Sequence, residues 1–463
     1  MLRTMANEAN SSRPSLRKAL GVFDGIAILI GITIGAGIYS TPQIIAGYLA
    51  SFDSIILLWL LVGVFVFTSG LIYAELGTRM PNTGGEYVYI SRCFGPFAGF
   101  MFGWAQLFII RTSAAAGLAL IVADYFGYFV ALNRVGRIIT ALAVIFLLGA
   151  LNYIGIQRAS VFQKLSTILK VGALLSIVIV GIVFSKGHEN LLSTRAAPEG
   201  LLSPLGSVVA ALILIIFSHT GWERIGYSAG EMKNPRRVIP LSLVIGIGLV
   251  ILLYALTNLT YHRILGMEGI RESTIVASDV LTMLIGPVGA ALIAILVIIS
   301  ASGSINGTMM TATRAYYAMA RDGLFFKWLD HVHPRFRTPS RAIVVHCLWA
   351  GAILIIRGTF ETIATGLVFT ILIFYGLSTL ALFKMRRDEI GGTNFFRVPL
   401  YPLLPLLSLL FIIGLIVLRT VYQWQNSAVD LIFIVTGIPF AFYWVRRRGK
   451  ATRVDKKNSD IKI

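Results

Sequence analysis

Charge is what this chain has least of. Asp, Glu, Lys and Arg make up 13% of its 463 residues, and only 21 residues are acidic. A soluble domain carries about 25% charged residues, so a chain of this length could not cover its fold with a water-compatible surface. Its apolar share is 56% and its mean hydropathy +0.80. A bilayer removes the need for polar cover, because lipid tails face apolar side chains directly. Cysteine is nearly absent. Cys93 and Cys347 lie in or beside apolar segments, which excludes a disulfide framework. The first twenty residues, polar and basic with Arg3, Arg13, Arg17 and Lys18, lack an apolar core followed by a small-residue cleavage site. No removable signal peptide is expected, and the first apolar run stays as an anchor. Lys and Arg number 40, but they sit in short loops between long apolar runs and form no stripe, which argues against nucleic acid as a partner.

What the chain does have is apolar runs of spanning length. A membrane helix needs about 20 mainly apolar residues. Roughly twelve such runs centre near Ile34, Val62, Phe108, Ala143, Leu175, Ile215, Leu249, Leu296, Ala350, Leu372, Leu410 and Ile434. The expectation is an all-α polytopic membrane protein whose solvent is the lipid bilayer. The run near Ala350 is short, with an unsettled outer end around Arg357. Basic residues crowd alternate loops: the amino terminus, Arg79/Arg92, Arg158, Lys233–Arg237, Arg321–Arg341, Lys384–Arg397 and Arg446–Lys462. The loops between hold few, among them Arg134, Arg195 and Arg271. This asymmetry puts both termini in the cytoplasm and the protein in a plasma or inner membrane. Arg446, Arg447 and Arg448 read as a headgroup anchor.

Two runs are interrupted. The first reads Gly31-Ile32-Thr33-Ile34-Gly35-Ala36-Gly37-Ile38-Tyr39, and the sixth reads Phe217-Ser218-His219-Thr220-Gly221-Trp222-Glu223-Arg224. Glycine and hydroxyl residues at matching places in two halves of a membrane chain are the best sequence pointer to a transporter binding site. Irregular backbone at that depth survives only where protein or a water-filled cavity satisfies it. Close helix packing on small residues is the alternative for Gly31 and Gly35. A dinucleotide loop is excluded, since no strand precedes the glycines.

The motifs, taken in order, resemble those of the amino acid–polyamine–organocation superfamily, most closely its L-type amino acid transporter branch and bacterial relatives. Gly35-Ala36-Gly37-Ile38 is similar to the family's unwound first helix. Tyr73-Ala74-Glu75-Leu76-Gly77, Pro81 and Gly84-Gly85-Glu86-Tyr87-Val88-Tyr89 resemble the loop after the second helix. Phe94-Gly95 to Gly103-Trp104 resemble the opening of the third. Asn152, Gln163 and Lys170 keep the spacing into the fifth. Glu231 to Arg236 with Pro240 follow the sixth. Arg314, Arg321-Asp322-Gly323, His333-Pro334 and Thr338-Pro339 resemble the eighth-to-ninth connection.

The resemblance implies a LeuT-type fold: two inverted repeats of five helices (20–185 and 205–385), two further helices (400–447), a cytoplasmic amino-terminal segment (1–19) and a basic tail (448–463). It implies a secondary active amino acid transporter working by alternating access, as an exchanger or with protons, and no cofactor or metal. Substrate would lie at Ile32, Thr33, Gly35, Ala36, Gly37, Phe217, Ser218, Thr220 and Gly221. Backbone amides of Ala36 and Gly37 would meet its carboxylate, and Phe217 would close over it. An amino acid entering a membrane protein loses water from both charged groups, and free N–H and C=O groups of broken helices replace it. Arg111, Lys170, Glu223 and Arg224 fall at membrane depth, where charge costs about 2.5–3.5 kcal/mol per residue on insertion scales. Lys170 matches the family lysine beside the sodium site of sodium-coupled relatives, so it would replace a metal ion. Glu223 would exchange a proton or form an ion pair with Arg111 or Arg224. His219 reads as a packed, hydrogen-bonded histidine. Animal L-type transporters bond a heavy chain through a cysteine between the third and fourth helices. The loop from Gly127 to Gly136 has none, so no disulfide-linked partner is expected. Competing readings are a non-transporting amino acid sensor, a carrier of cationic amino acids or polyamines, and a membrane enzyme, for which no catalytic motif is present.

Overall fold

A computed structural model describes residues 20–35, 37–81, 84–184, 203–321 and 323–447. Among them, twelve helices are long and apolar enough to cross a membrane, and no strand occurs beyond an isolated bridge between Leu20 and Met232. The spans run Val22–Ser40, Phe52–Arg79, Glu86–Phe126, Arg134–Tyr153, Val161–Val183, Pro204–Gly230, Pro235–Glu272, Pro287–Arg321, Ser340–Arg357, Phe360–Arg387, Leu403–Tyr422 and Trp424–Arg447. Each run anticipated in the sequence becomes one span.

Local chemistry sets their limits. Ser51, Asn133 and Ser203 cap the second, fourth and sixth spans by accepting from the amides of Ser54, Gly136 and Gly206. The short ninth span stops at Gly358, which takes the left-handed conformation (φ 71°), and Thr359 caps the tenth. Arg357 is thus the last residue of the ninth span. One motif reading needs correction. Glu86 to Tyr89 are helical and begin the third span, which bends at Gly95 (φ 85°) just before Pro96. Two short helices, Pro42–Tyr48 and Val276–Ile285, were not anticipated.

The third span is the centre of the molecule, 94% buried along its most apolar stretch, against 22% for the twelfth. Leu57, Val64, Leu147, Ile168, Leu410 and Ile432 point outward, where lipid replaces protein. The seventh span packs on the first and second, and the eighth on the third and fifth. Small residues allow both approaches. A Cβ at Gly70 would lie 2.5 Å from Ile247 Cδ1, and one at Gly303 only 1.7 Å from Ser166 Oγ. Two buried carboxylates gather the arginines around them. Glu75 accepts from Arg79 (2.9 Å), Arg386 (2.6 Å) and the Val398 amide (2.8 Å), tying the second span to the tenth and to the connection after it. Asp430 holds Arg419 at 2.7 Å and also pairs with Arg357.

Candidate functional site

The helix Val22–Thr33 ends because Ile34 leaves helical geometry (φ −70°, ψ 87°), and helix resumes at Gly37–Ser40. Ala36, expected as a carboxylate donor, lies outside the described residues. In the sixth span the helix Pro204–His219 ends at Thr220, which is extended. Gly221 then takes φ 121°, a conformation that side chains disfavour, and 3₁₀ turns run from Trp222 to Glu231. Each break frees backbone N–H groups on one side and carbonyls on the other.

The two breaks touch. A Cβ at Gly37 would lie 2.8 Å from Ser218 Oγ and 2.9 Å from its Cα, and one at Gly221 would lie 3.1 Å from the Ile32 carbonyl carbon and oxygen. The hydroxyls of Thr41 and Ser218 are 3.1 Å apart. Tyr254 of the seventh span joins the carbonyl ends: its hydroxyl is 3.1 Å from the Thr33 oxygen and 3.0 Å from that of Ser218. No sequence motif marks Tyr254, which sits in an apolar run like any packing tyrosine. The Thr33 hydroxyl is buried and has no hydrogen-bond partner. Thr220 Oγ1 donates to its own helix at Phe217, and the Phe217 ring meets Phe360 edge-on at 5.3 Å.

Lys170 is fully buried. Its ammonium donates to the Gly31 carbonyl (2.9 Å) and to Ser304 Oγ (3.0 Å), joining the fifth, first and eighth spans. Gly31 carries a second demand, since a Cβ there would lie 2.5 Å from Thr167 Cγ2. Close packing and a free carbonyl thus meet on one glycine. At Gly35 the nearest atom would be 3.8 Å away, so packing does not require glycine there.

Glu223 folds back on its own break. Its Oε2 accepts from the Gly221 amide (2.8 Å) and from Tyr375 (3.2 Å), and its Oε1 is 3.6 Å from Arg224 Nε. Arg224 also reaches Thr308 at 3.2 Å. Arg111 makes no ion pair with Glu223. It follows a π-helical turn, Gln106–Ile110, which sets Gln106 Oε1 2.6 Å from Arg111 Nε. Glu86, read from the sequence as part of a loop, is buried and accepts from Tyr73 at 2.7 Å. The rings of Tyr73, Trp222 and Tyr375 pack between the two carboxylates. His219 is buried, with Nδ1 2.9 Å from the Ile215 carbonyl and its ring against Trp59 and Tyr254.

The sequence pattern of the family described as Amino acid permease matches residues 20–442. The serine/threonine exchanger SteT of Bacillus subtilis is 30% identical over 440 residues, covering 94% of this chain and 98% of SteT. The human b(0,+)-type amino acid transporter 1 is 28% identical over 448 residues, 96% of this chain and 91% of its own. The human cystine/glutamate transporter is 28% identical over 436 residues, covering 92% and 85%. The fold is the LeuT type, the protein is not an enzyme, and the chain belongs to the amino acid permease family of the amino acid–polyamine–organocation superfamily.

Proposed function

We propose that this chain is a sodium-independent amino acid exchanger that works by alternating access, with substrate held where the first and sixth spans break. One observation carries the reading: two broken helices lie in contact, with the buried Thr33 hydroxyl beside them unpartnered. The amide ends suit a carboxylate and the carbonyl ends an ammonium. The site comprises Ile32, Thr33, Gly35, Ala36, Gly37, Phe217, Ser218, Thr220 and Gly221, within repeats spanning 20–185 and 205–385. Both termini face the cytoplasm, where the basic loops gather. SteT exchanges serine and threonine, which makes small hydroxylated amino acids the first candidates.

The Gly221 amide and the Tyr375 hydroxyl donate to Glu223 Oε2, and the Arg224 guanidinium lies 3.6 Å from Oε1, which together hold the carboxylate in place. Glu223 therefore anchors the second break. Glu223→Gln keeps the shape but loses the pairing with Arg224. Exchange is expected to fall with an unchanged pH profile. A variant that transports well and has lost its pH sensitivity would make Glu223 a proton carrier instead.

No heavy chain is needed, since the loop from Gly127 to Gly136 offers no thiol. The purified chain alone, reconstituted in liposomes and offered a panel of labelled amino acids, should exchange some of them. Silence that an added single-span subunit reverses would refute this part.

A further inference from the structure

A guanidinium with a donor to spare stands midway along the third span. Arg111 is 5% exposed, its Nε is held by Gln106, and its Nη1 is buried with no hydrogen-bond partner. Leaving a buried charged donor unmade costs more than an ordinary hydrogen bond contributes, and native proteins rarely do so without a use for it. The Tyr227 hydroxyl is a second orphan. Tyr227 lies past the break of the sixth span, and its ring centre is 5.8 Å from Arg111 Cζ. His346 Nε2 is a third, on a ring stacked with Tyr316, whose hydroxyl reaches the Gln106 carbonyl at 3.1 Å.

The neighbouring acids are already engaged, Glu223 by Gly221, Tyr375 and Arg224, and Glu86 by Tyr73. Neither carboxylate hydrogen-bonds Arg111, whose side-chain hydrogen-bond partner is Gln106. A carboxylate suits the unpaired guanidinium donor. The orphans lie on one side of the breaks, toward the membrane face where the third span begins at Glu86, the eighth ends at Arg321 and the ninth begins at Ser340.

The geometry points to a second station for the substrate carboxylate, between the broken helices and that face, where Arg111 Nη1 and the Tyr227 hydroxyl receive it. This rests on the amino acid transport reading. The α-carboxylate is common to all amino acids, so the station serves any side chain. It gives the leaving carboxylate a charged partner when the helix amides let go, and so spares it an unpaired crossing of a low-dielectric passage.

The test is sided. The protein is reconstituted in liposomes, vesicles are sorted by which face exposes the amino terminus, and KM for exchange is measured at each face. Tyr227→Phe removes one hydroxyl and keeps the ring. Arg111→Lys keeps the charge and loses the fork. Each should raise KM at the face nearest Arg111 about tenfold, the loss of one hydrogen bond to a charged group, while KM at the opposite face holds. Equal change at both faces, or none at either, overturns the station. If Arg111→Lys does not fold, Tyr227→Phe decides alone. A wild-type protein that exchanges no amino acid would instead overturn the transport reading itself.

Discussion

Gly37→Val should abolish substrate binding while the protein still folds and inserts. The added Cβ would sit 2.8 Å from Ser218 Oγ and 2.9 Å from Ser218 Cα. The first of these neighbours can rotate away, but the second is backbone and cannot. The side chain therefore wedges the two breaks apart at the place where substrate meets backbone. Only four helical residues, Gly37–Ser40, follow the first break before the chain turns again at Thr41. The strain is local to the contact between the first and sixth spans, and the other ten spans lie elsewhere. A binding titration on purified protein reads the effect, and a melting curve controls for folding. Retained affinity would move the site away from the breaks.

Lys170→Met should suppress exchange at least tenfold with insertion intact. Methionine fills a comparable apolar volume, but the Gly31 carbonyl and the Ser304 hydroxyl lose their donor. Hydrogen bonds to a charged group contribute about 1.5–3 kcal/mol each, and about 1.4 kcal/mol is tenfold in an equilibrium. The Gly31 carbonyl lies in the last turn before the first break. The Lys170 side chain therefore holds the helix before the first break to the fifth and eighth spans. Wild-type exchange should be equal in sodium and choline buffers. Rescue of Lys170→Met by sodium would strengthen the account, whereas full activity without the lysine would remove its role.

The twelve spans were legible in the sequence because bilayer thickness imposes a length and a composition that few other structures need. The breaks were legible because Gly35, Gly37 and Gly221, with flanking hydroxyl residues, stand inside runs that otherwise want leucine and isoleucine. Lys170 was visible as a charge at forbidden depth. Partnerships were less visible. Gln106 and Arg111 are five residues apart, a spacing that turns side chains well away from each other in an α-helix of 3.6 residues per turn. Only the π-turn brings them together. Tyr254 clamps both breaks from a span with no motif at that position. Glu86 looked like a loop residue because its motif, from Gly84 to Tyr89, resembles the family's loop after the second helix. The chain nevertheless begins the third span at Glu86 and buries the carboxylate.

Trans-stimulation tests the central claim most directly. Purified chain in liposomes is given labelled serine or threonine outside, with unlabelled amino acid or none inside, in sodium and then in choline buffer. The account predicts rapid uptake only into preloaded vesicles, the same in both buffers, and none with Gly37→Val. Uptake into empty vesicles at the preloaded rate, or a strict requirement for sodium, would contradict it.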